Sequence, residues 1–268
     1  MTESPQAQAQ AHATTATRGD SANNLLAVAS GKGGVGKTWF AITLAHAIAR
    51  DGQRSLLFDG DLGLANVDVQ LGLNPQHDLG RVLTGRQSLA SAVQTVNAGG
   101  FDVIAGRSGS GTLASMAPGQ LETLGRALSD LAPSYDQVLL DLSAGVDRTV
   151  RSLTGRASTV IMVITEEPTA LTDAYAFIKL TKRRRPDVNI RVVVNLASSQ
   201  RQGEQIFGAL RKVCESFLSV TPELLGVVRR DAWVRDSIKR QSLIFDRQPN
   251  AAAATDIESI AAKLKETA

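Results

Sequence analysis

Residues 31–38 read Gly31-Lys32-Gly33-Gly34-Val35-Gly36-Lys37-Thr38. The octapeptide matches the pattern G-x-x-x-x-G-K-[ST], in which a glycine-rich loop joins a strand to a helix and binds phosphate. Its surroundings fit, because an apolar segment (Leu26–Ala29) precedes the loop and an amphipathic segment (Thr38–Arg50) follows it. The glycines let successive backbone N–H groups point inward, and the start of the helix adds partial positive charge. The sequence therefore predicts a site for nucleotide phosphates, with a plain Gly-rich turn as the alternative.

Two side chains of this loop have predicted contacts with nucleotide. Lys37 reaches the β- and γ-phosphates, and the hydroxyl of Thr38 is a ligand for Mg²⁺. We also assign Trp39, which follows Thr38 directly, to the binding set, with the filling of core space beside the helix as its alternative role. The predicted nucleotide-binding residues of the loop are Gly33, Gly34, Val35, Gly36, Lys37, Thr38 and Trp39.

Short apolar runs alternate with longer segments of helical period along the chain. Each run is continuously apolar, which is typical of a strand buried on both faces. The predicted strands are Leu25–Ala29, Ser55–Phe58, Phe101–Ala105, Gln137–Leu140, Thr159–Thr165, Ile190–Asn195 and Leu224–Val228. The predicted helices are Thr38–Arg50, Gln120–Leu131, Thr172–Arg184, Gly203–Phe217 and Ile257–Lys265. This order predicts an α/β fold, a single doubly wound and mainly parallel sheet flanked by helices, with ligands at the carboxyl ends of the strands.

Length and composition narrow the classes of protein. A chain of 268 residues favours one domain. Residues 1–22 are rich in Ala, Gln, Thr and Ser, so we expect a disordered leader followed by one phosphate-loop domain over residues 23–268. The single cysteine, Cys214, excludes an internal disulfide framework, and the net charge of +3 demands no nucleic acid partner. Because the sequence has neither an apolar run of about 20 residues nor the apolar region of a signal peptide, we expect a cytoplasmic protein.

Acidic residues follow two of the predicted strands. Asp59 and Asp61 come after the second strand, and Asp141 directly follows Gln137–Leu140. Because Asp59 and Asp61 are two residues apart, their side chains point the same way in an extended segment. Carboxylates at the ends of strands, opposite a phosphate loop, suit a magnesium shell. Solvent-exposed loop aspartates are the alternative.

The octapeptide at 31–38 resembles the deviant Walker A loop of the MinD/ParA class of ATPases. The segments that begin at Asp59 and Asp141 resemble the switch regions of that class, and the second keeps the Asp-x-x-Ala-Gly pattern. The resemblance implies a dimer that encloses two ATP molecules. Lys32 then contacts the phosphates of the partner's ATP, and Asp61 positions the attacking water. Asp59 and Asp141 hold Mg²⁺ through water.

Two longer segments are similar to the FlhG/FleN (YlxH) branch of the class, the flagellar-number regulators. They are D-G-D-L-G-L-A-N-V-D-V-Q-L-G-L at 59–73 and E-E-P-T-A-L-T-D-A-Y-A-F-I-K at 166–179. The resemblance implies a P-loop ATPase domain over 23–268, which forms a homodimer with ATP and Mg²⁺, hydrolyses ATP to ADP slowly, and regulates flagellar number or placement. Its implied partners are an FlhF-type GTPase, C-ring components or a flagellar transcription activator. Its implied location is the cytoplasm, with peripheral contact at the inner membrane or cell pole.

The same resemblance implies a set of residues around the nucleotide base. Asn195 ends the sixth predicted strand, and its amide can both donate to and accept from adenine; a turn-forming asparagine is the alternative. The resemblance implies that the nucleotide is also lined by Glu167, Val228, Arg229 and Arg230. Family members often carry Pro-Tyr where this chain has Arg229 and Arg230, so a guanidinium plane packs against adenine instead.

Other interpretations stay open. One alternative is a ParA-like positioning ATPase on nucleoid DNA, which needs a basic surface. Only residues 182–185 and 229–230 hint at such a surface, so we expect no DNA binding. A second alternative is a non-catalytic interaction module, in which ATP is a structural ligand only.

The basic run before Pro186 completes a helix end, with docking to an acidic partner or lipid as the alternative. The tail 251–268 has a small apolar face, which favours a helix that closes the domain over a membrane anchor.

Overall fold

A computed structural model gives the fold and describes residues 24–61, 65–74, 79–84, 86–106 and 117–266. Its strands are β1 (Leu25–Ser30), β2 (Ser55–Gly60), β3 (Gln94–Val96), β4 (Phe101–Ile104), β5 (Gln137–Ala144), β6 (Thr159–Ile164), β7 (Asn189–Ala197) and β8 (Glu223–Arg229). Over the described ranges they form one eight-stranded sheet in the order β3-β4-β2-β5-β1-β6-β7-β8. All neighbouring strands are parallel except β3 and β4, which pair antiparallel.

Helices cover both faces of this sheet. They are α1 (Lys37–Arg50), α2 (Val67–Leu71), α3 (Leu79–Leu83), α4 (Pro118–Leu131), α5 (Arg148–Thr154), α6 (Pro168–Arg184), α7 (Gln200–Leu218), α8 (Ala232–Lys239), α9 (Ile244–Arg247) and α10 (Ala252–Lys265). The core on one face includes Leu124, Phe177 and Leu210 from α4, α6 and α7. The core on the other face includes Phe40 and Ile260 from α1 and α10. Because helices bury both faces, the central strands are apolar at nearly every position.

The phosphate loop leaves the sheet at its centre. β1 lies between β5 and β6, so the chain winds in opposite directions on the two sides of β1. This is the switch point of a doubly wound sheet, where a crevice opens at the carboxyl ends of the strands. Register places Asp59 of β2 directly beside Asp141 of β5. The topology therefore brings the loop and both carboxylates to one place.

The predicted α/β fold is confirmed, and each predicted strand and helix overlaps an observed one. The prediction omitted β3, because a run of three residues, Gln94–Val96, is too short to stand out by its apolar pattern. It also omitted the short helices α2, α3, α5, α8 and α9. The expected leader, residues 1–22, lies outside the described residues. Within the described ranges, no helix combines the length and apolar character that crossing a membrane requires.

Candidate nucleotide-binding site

The phosphate loop depends on two glycines in left-handed backbone conformations. Gly34 has φ of +81° and Gly36 has φ of +82°, where other residues are strained. A Cβ at Gly36 would also lie 2.5 Å from Nδ2 of Asn195, so no larger residue fits. A Cβ at Gly33 or Gly34 would meet nothing within 4 Å. The loop therefore has open space beside Gly33 and Gly34, as a phosphate cradle requires.

Lys37 points into the site and not to solvent. It is 8% exposed, and its Nζ lies 2.7 Å from Oδ1 of Asp141. Thr38 lies close enough to the same carboxylate to oppose the rise in its pKa. The second oxygen of that carboxylate, Oδ2, is buried and has no hydrogen-bond partner in the part of the chain that the structure describes. A buried carboxylate with one unsatisfied oxygen is a place where a cation or a water fits.

Asp59 lies beside Asp141 and holds the start of the next segment. Its Oδ1 accepts from the N–H of Asp61 at 3.1 Å, and its Oδ2 accepts from the N–H groups of Asn66 and Val67 at 3.1 and 3.2 Å. Burial, and then the charge of Asp141, raise the pKa of Asp59 to about 7. Burial also raises the pKa of Asp141, although Lys37 and Thr38 oppose this shift.

These residues fit a magnesium ion. Two buried carboxylates lie side by side on neighbouring strands, and the one lysine pairs with Asp141 alone. The remaining negative charge is one that a divalent cation would offset. Over the described ranges, no three His, Cys, Asp or Glu side chains converge. Mg²⁺ does not need such a cluster, since it usually keeps several waters and binds one or two carboxylates plus substrate phosphates. Thr38, Asp59 and Asp141 could hold it in that way.

Comparison with known proteins identifies the family. The sequence family described as the CobQ/CobB/MinD/ParA nucleotide binding domain matches residues 26–244. The chain belongs to this family. It is 38% identical to the antiactivator FleN of Pseudomonas aeruginosa over 240 residues, which cover 90% of this chain and 85% of that protein. It is 27% identical to the flagellum site-determining protein YlxH of Helicobacter pylori, over 89% of this chain and 81% of that one.

Solved structures of the MinD/ParA family have the same fold. The septum site-determining protein MinD of Pyrococcus horikoshii, complexed with Mg-ADP, matches with a TM-score of 0.78 and 23% identity. The match covers 91% of this chain and 96% of that one. A MinC:MinD cell division protein complex of Aquifex aeolicus matches with a TM-score of 0.73 and 24% identity, over 91% of this chain and 96% of that one.

Lys32, the lysine that precedes Lys37 in the phosphate loop, is bound by residues of its own chain. Its Nζ forms an ion pair with Oε2 of Glu167 and donates to Oγ1 of Thr169 at 3.2 Å. Both acceptors lie at the start of α6. The loop also packs on this helix, since a Cβ at Gly31 would lie 2.6 Å from the backbone of Asp173. In the monomer, therefore, Glu167 contacts Lys32, and its predicted contact with nucleotide stays a prediction.

Asn195 lies in β7, two residues before its end, and donates to the phosphate loop. Its Nδ2 donates to the carbonyl of Val35 at 2.8 Å, and the residue is 2% exposed. This bond fixes the phosphate loop to β7 and leaves Oδ1 as the atom that can accept from an adenine amine. Val35 and Trp39 are buried and belong to the core beside α1, as does the side chain of Val228.

The two arginines at the end of β8 have partners on other elements. The guanidinium of Arg229 binds Asp256 of α10 through Nε and Nη2, each at 2.9 Å. Nη2 of Arg230 lies 3.5 Å from Oε1 of Glu166. Sequence reasoning missed both acidic partners. The sequence did contain a signal for Asp256, because this acidic residue lies beside Ala253, Ala254 and Ile257 on the apolar side of the last helix.

Glu166 also ties α7 to the same edge. Its Oε2 accepts from Nε2 of Gln202 at 2.5 Å, and Oε1 of Gln202 accepts from the N–H and hydroxyl of Ser198, each at 2.6 Å. Glu166 therefore links the segments that follow β6, β7 and β8. These segments also hold the residues that we expect around the nucleotide base, which are Glu167, Asn195 and residues 228–230.

Two side chains of the basic run 182–185 complete the helix end, as the simpler interpretation predicts. Nζ of Lys182 donates to the carbonyls of Pro186 and Val188 at 2.9 and 2.7 Å. Nη1 of Arg185 donates to the carbonyls of Gly155 and Ala157 at 2.8 and 2.9 Å. The other two arginines of the run are exposed.

Proposed function

We propose that this protein is an ATP-dependent dimerisation switch with slow ATP hydrolysis, which regulates flagellar number or placement through partner proteins. One observation carries the proposal. The phosphate loop and the buried group of Lys37, Asp59 and Asp141 converge at the switch point of the sheet, in a chain 38% identical to the antiactivator FleN. The similarity to the flagellum site-determining protein YlxH supports the same process.

The residues of the site have separate proposed roles. Lys37 exchanges Asp141 for the β- and γ-phosphates of ATP and neutralises their charge. The backbone N–H groups of the loop bind the same phosphates. Asp61 orients the water that attacks the γ-phosphate. Mg²⁺, bound to Thr38 and through water to Asp59 and Asp141, would supply further charge neutralisation on the transferring phosphoryl group.

Lys32 and Asn195 complete the proposed ATP complex. Lys32 leaves Glu167 and contacts the phosphates of ATP in a second copy, so that hydrolysis depends on the dimer. Oδ1 of Asn195 accepts from the amine of adenine. Two contacts of the monomer support this arrangement, because Lys32 already forms an ion pair beside the loop and Asn195 already donates to the loop.

The proposal has a direct cellular test. Flagella are counted by electron microscopy in a deletion strain complemented with wild type, Lys37→Ala or Lys265→Ala. Lys265 is an exposed lysine whose surface ion pair with Asp51 contributes little. We expect too many or misplaced filaments in the deletion, rescue by wild type and Lys265→Ala, and no rescue by Lys37→Ala. Normal filaments in every strain would mean that the protein acts on a cargo other than the flagellum.

The catalytic role of Asp61 is tested with the purified protein. We expect Asp61→Ala to bind ATP, accumulate as a dimer in size-exclusion chromatography and release little phosphate. Hydrolysis at the wild-type rate in this variant would remove Asp61 from the mechanism. Phosphate release by wild type also separates the ATPase from an interaction module in which ATP is only structural.

We assign the contact with a flagellar partner to a groove between the carboxyl-terminal ends of α6 and α7. It has a volume of about 560 Å³, and its lining includes Lys179, Arg183 and Phe217. Phe217 is 75% exposed, and the two cations have no ion-pair partner among the described residues. An acidic segment with an apolar side chain complements this groove, and a C-ring component, an FlhF-type GTPase or a transcription activator would supply it.

The groove is tested by reversing one of its charges. Arg183→Glu should weaken binding of the C-ring component or activator about 10-fold, while ATP hydrolysis stays at the wild-type rate. Affinity that does not change for any of these partners would remove the groove from the proposal.

DNA binding is the weaker candidate. The basic side chains that hinted at it are largely engaged: Lys182 and Arg185 bind backbone carbonyls, and Arg229 and Arg230 pair with Asp256 and Glu166. We expect filter binding at two salt concentrations to detect no salt-dependent affinity for DNA. We also propose a cytoplasmic protein that reaches the inner membrane or pole through its partners, since the apolar side chains of α10 are buried in the domain.

A further inference from the structure

A cleft between α5 and α6 lies apart from both the nucleotide site and the α6–α7 groove. The two helices pack on the same face of the sheet. The lining of the cleft includes Val150, Arg151 and Thr154 of α5 and Phe177, Leu180 and Arg184 of α6. Steps of three or four residues connect the members of each set, so each set lies on one side of its helix. Among the described residues, none that we place around the nucleotide lines the cleft.

One end of the cleft is apolar. Val150 and Phe177 form its floor, and each is 1% exposed. Leu180 stands at the rim and is 38% exposed, and Val146, just before α5, extends the apolar lining. The space that these side chains enclose is about 30 Å³, so it accepts a short aliphatic group and not a long acyl chain.

The other end of the cleft is polar. One helical turn beyond Val150 and Phe177, α5 presents the hydroxyl of Thr154 and α6 presents that of Thr181. Thr154 is 5% exposed, and its Oγ1 has no hydrogen-bond partner in the part of the chain that the structure describes. A buried hydroxyl without a partner costs free energy. Its position in the wall of a cleft therefore indicates a ligand atom that accepts a hydrogen bond from it.

Two unpaired cations flank the polar end. Arg151 and Arg184 line the cleft from opposite helices, and both are exposed. Over the ranges that the structure covers, neither guanidinium forms an ion pair. The neighbouring Arg185 is engaged, since its Nη1 donates to two carbonyls of the turn after α5 and its Nη2 binds Asp187 at 3.0 Å. These bonds fix the ends of the two helices to each other, so the cleft keeps its shape.

Acidic side chains near the cleft do not cancel this charge. Asp147 lies at the opposite end, where it caps α5 by accepting from the N–H of Val150 at 2.8 Å. Asp173 is in the second turn of α6, toward the same end. Asp187 is already paired with Arg185. The polar end therefore attracts an anion, whereas a second copy of the cleft would bring guanidinium groups together.

The two ends together select the class of ligand. A guanidinium group binds a carboxylate through two parallel hydrogen bonds, and the apolar floor favours an aliphatic group. We propose that this cleft binds a short aliphatic carboxylate, whose charged group lies beside Arg151, Arg184 and the hydroxyl of Thr154. Its aliphatic group packs on Val150 and Phe177. A free acid and the carboxyl-terminal residue of a polypeptide both present this chemistry, and the proposal does not depend on the proposed function.

Saturation-transfer difference NMR on the full chain detects such a ligand directly. The probe is pentanoate. Pentanamide has the same shape without the charge, and acetate has the charge without the longer aliphatic group. We expect the dissociation constant of pentanoate to be at least about 10-fold lower than that of either control. Pentanamide or acetate that binds as tightly as pentanoate overturns the proposal.

Two adjacent arginines locate the binding. Arg184→Gln should weaken the binding of pentanoate about 10-fold. Arg183→Gln, at a residue that lines the α6–α7 groove, is the matched control and should leave the affinity unchanged. Equal losses in the two variants would mean a general attraction to basic surface, and no loss in Arg184→Gln would place the ligand elsewhere. Either result contradicts the proposal.

The hydroxyl of Thr154 is tested by a substitution that keeps the shape of the side chain. Thr154→Val removes an unpartnered hydroxyl from the interior, so the urea midpoint of unfolding should not fall. Pentanoate should bind several-fold more weakly, because its carboxylate loses one donor. A lower urea midpoint would mean that the hydroxyl serves the fold, and an unchanged affinity would mean that it does not reach the ligand. Both outcomes overturn the assigned contact.

A peptide distinguishes the two sources of the carboxylate. An acetylated tetrapeptide that ends in leucine is compared with its amidated form. Binding at least as tight as that of pentanoate, and lost on amidation, would assign the cleft to the carboxyl terminus of a polypeptide. Binding of pentanoate alone would assign it to a free acid. Binding of neither would refute the proposal.

Discussion

Asp141 is buried beside Lys37, Thr38 and Asp59. Burial raises its pKa, and Lys37 and Thr38 oppose this shift. Lys37 contributes the nearest positive charge, at 2.7 Å. A buried ion pair of this kind adds little net stability, because removing two charges from water offsets much of their attraction. Removing one partner alone is costly, since the other charge then stays buried and unpaired.

Lys37→Ala should therefore change both binding and stability. We expect it to abolish binding of a fluorescent ATP analogue and to lower the free energy of unfolding by about 3–5 kcal/mol. Urea denaturation measures the second effect. In Lys37→Ala/Asp141→Asn, which also removes the orphaned charge, most of the lost stability should return while binding stays absent. Equal destabilisation of the single and double variants would show that Asp141 is not charged in the native state.

The amino-terminal turn of α6 binds the phosphate loop of the same chain through Lys32. Glu167 and Thr169 hold Lys32 in the same chain, although both side chains of the Lys32–Glu167 pair are substantially exposed. A lysine held in this way is not free to reach a second molecule. The contact therefore opposes the dimer that the proposed function requires.

Glu167→Gln should release Lys32 and favour the ATP-bound dimer. We expect sedimentation with a non-hydrolysable ATP analogue to show dimers at a several-fold lower protein concentration than wild type. Glu204→Gln, at an exposed glutamate on α7, is the matched control and should behave as wild type. A higher concentration requirement for Glu167→Gln would mean that Glu167 acts across the dimer and not within the monomer.

A buried carboxylate of α10 holds the end of β8. Asp256 is 6% exposed and accepts from Gln200 at 2.8 Å as well as from the backbone and guanidinium of Arg229. Asp256→Ala should lower the free energy of unfolding by about 2–4 kcal/mol, because it leaves these donors unpaired. Glu258→Ala, which removes a half-exposed ion pair with Arg50, should cost less than about 1 kcal/mol. Equal effects in urea denaturation would contradict the structural role of Asp256.

Elements with a long apolar pattern could be predicted from the sequence, and those defined by single contacts could not. β1 and α1 were predictable because the loop between them has a fixed pattern and both neighbours are apolar. β3 was not, since three residues with one buried position show no period. The phosphate loop, Asp59 and Asp141 could be predicted as parts of one site, because each follows a predicted strand along the chain. The contacts of Glu166 and Asp256 required knowledge of which helices lie side by side, and the sequence alone does not contain that.

One buried histidine links the stability of the whole protein to pH. His46 on α1 is 3% exposed, and its ring packs edge-on against Phe245 at 5.2 Å. Burial lowers its pKa below the ordinary value of 6.5, although Asp246 opposes the shift. The native state therefore binds fewer protons than the unfolded chain in the range below pH 6.5.

The sign of the effect follows from this difference in bound protons. Stability from His46 is complete above pH 6.5 and is lost as the pH falls toward the native pKa, by at most about 1.4 kcal/mol per pH unit. His46→Leu should remove this part of the slope between pH 5 and 6.5 in urea denaturation, with little change in slope above pH 7.5. A slope identical to wild type below pH 6.5 would mean that His46 is protonated in the native state.

The last strand of the sheet, β8, has its outer edge closed by side chains of α10. Nζ of Lys263 donates to the carbonyl of Leu225 at 3.2 Å, and Asp256 accepts from the N–H of Arg229 at 2.9 Å. At the opposite edge, β3 offers only three residues. Over the described ranges, both features disfavour the addition of a further strand at either edge. Growth of a fibre through a continuous sheet is therefore disfavoured, and helix and loop surfaces are the places where a second copy would bind.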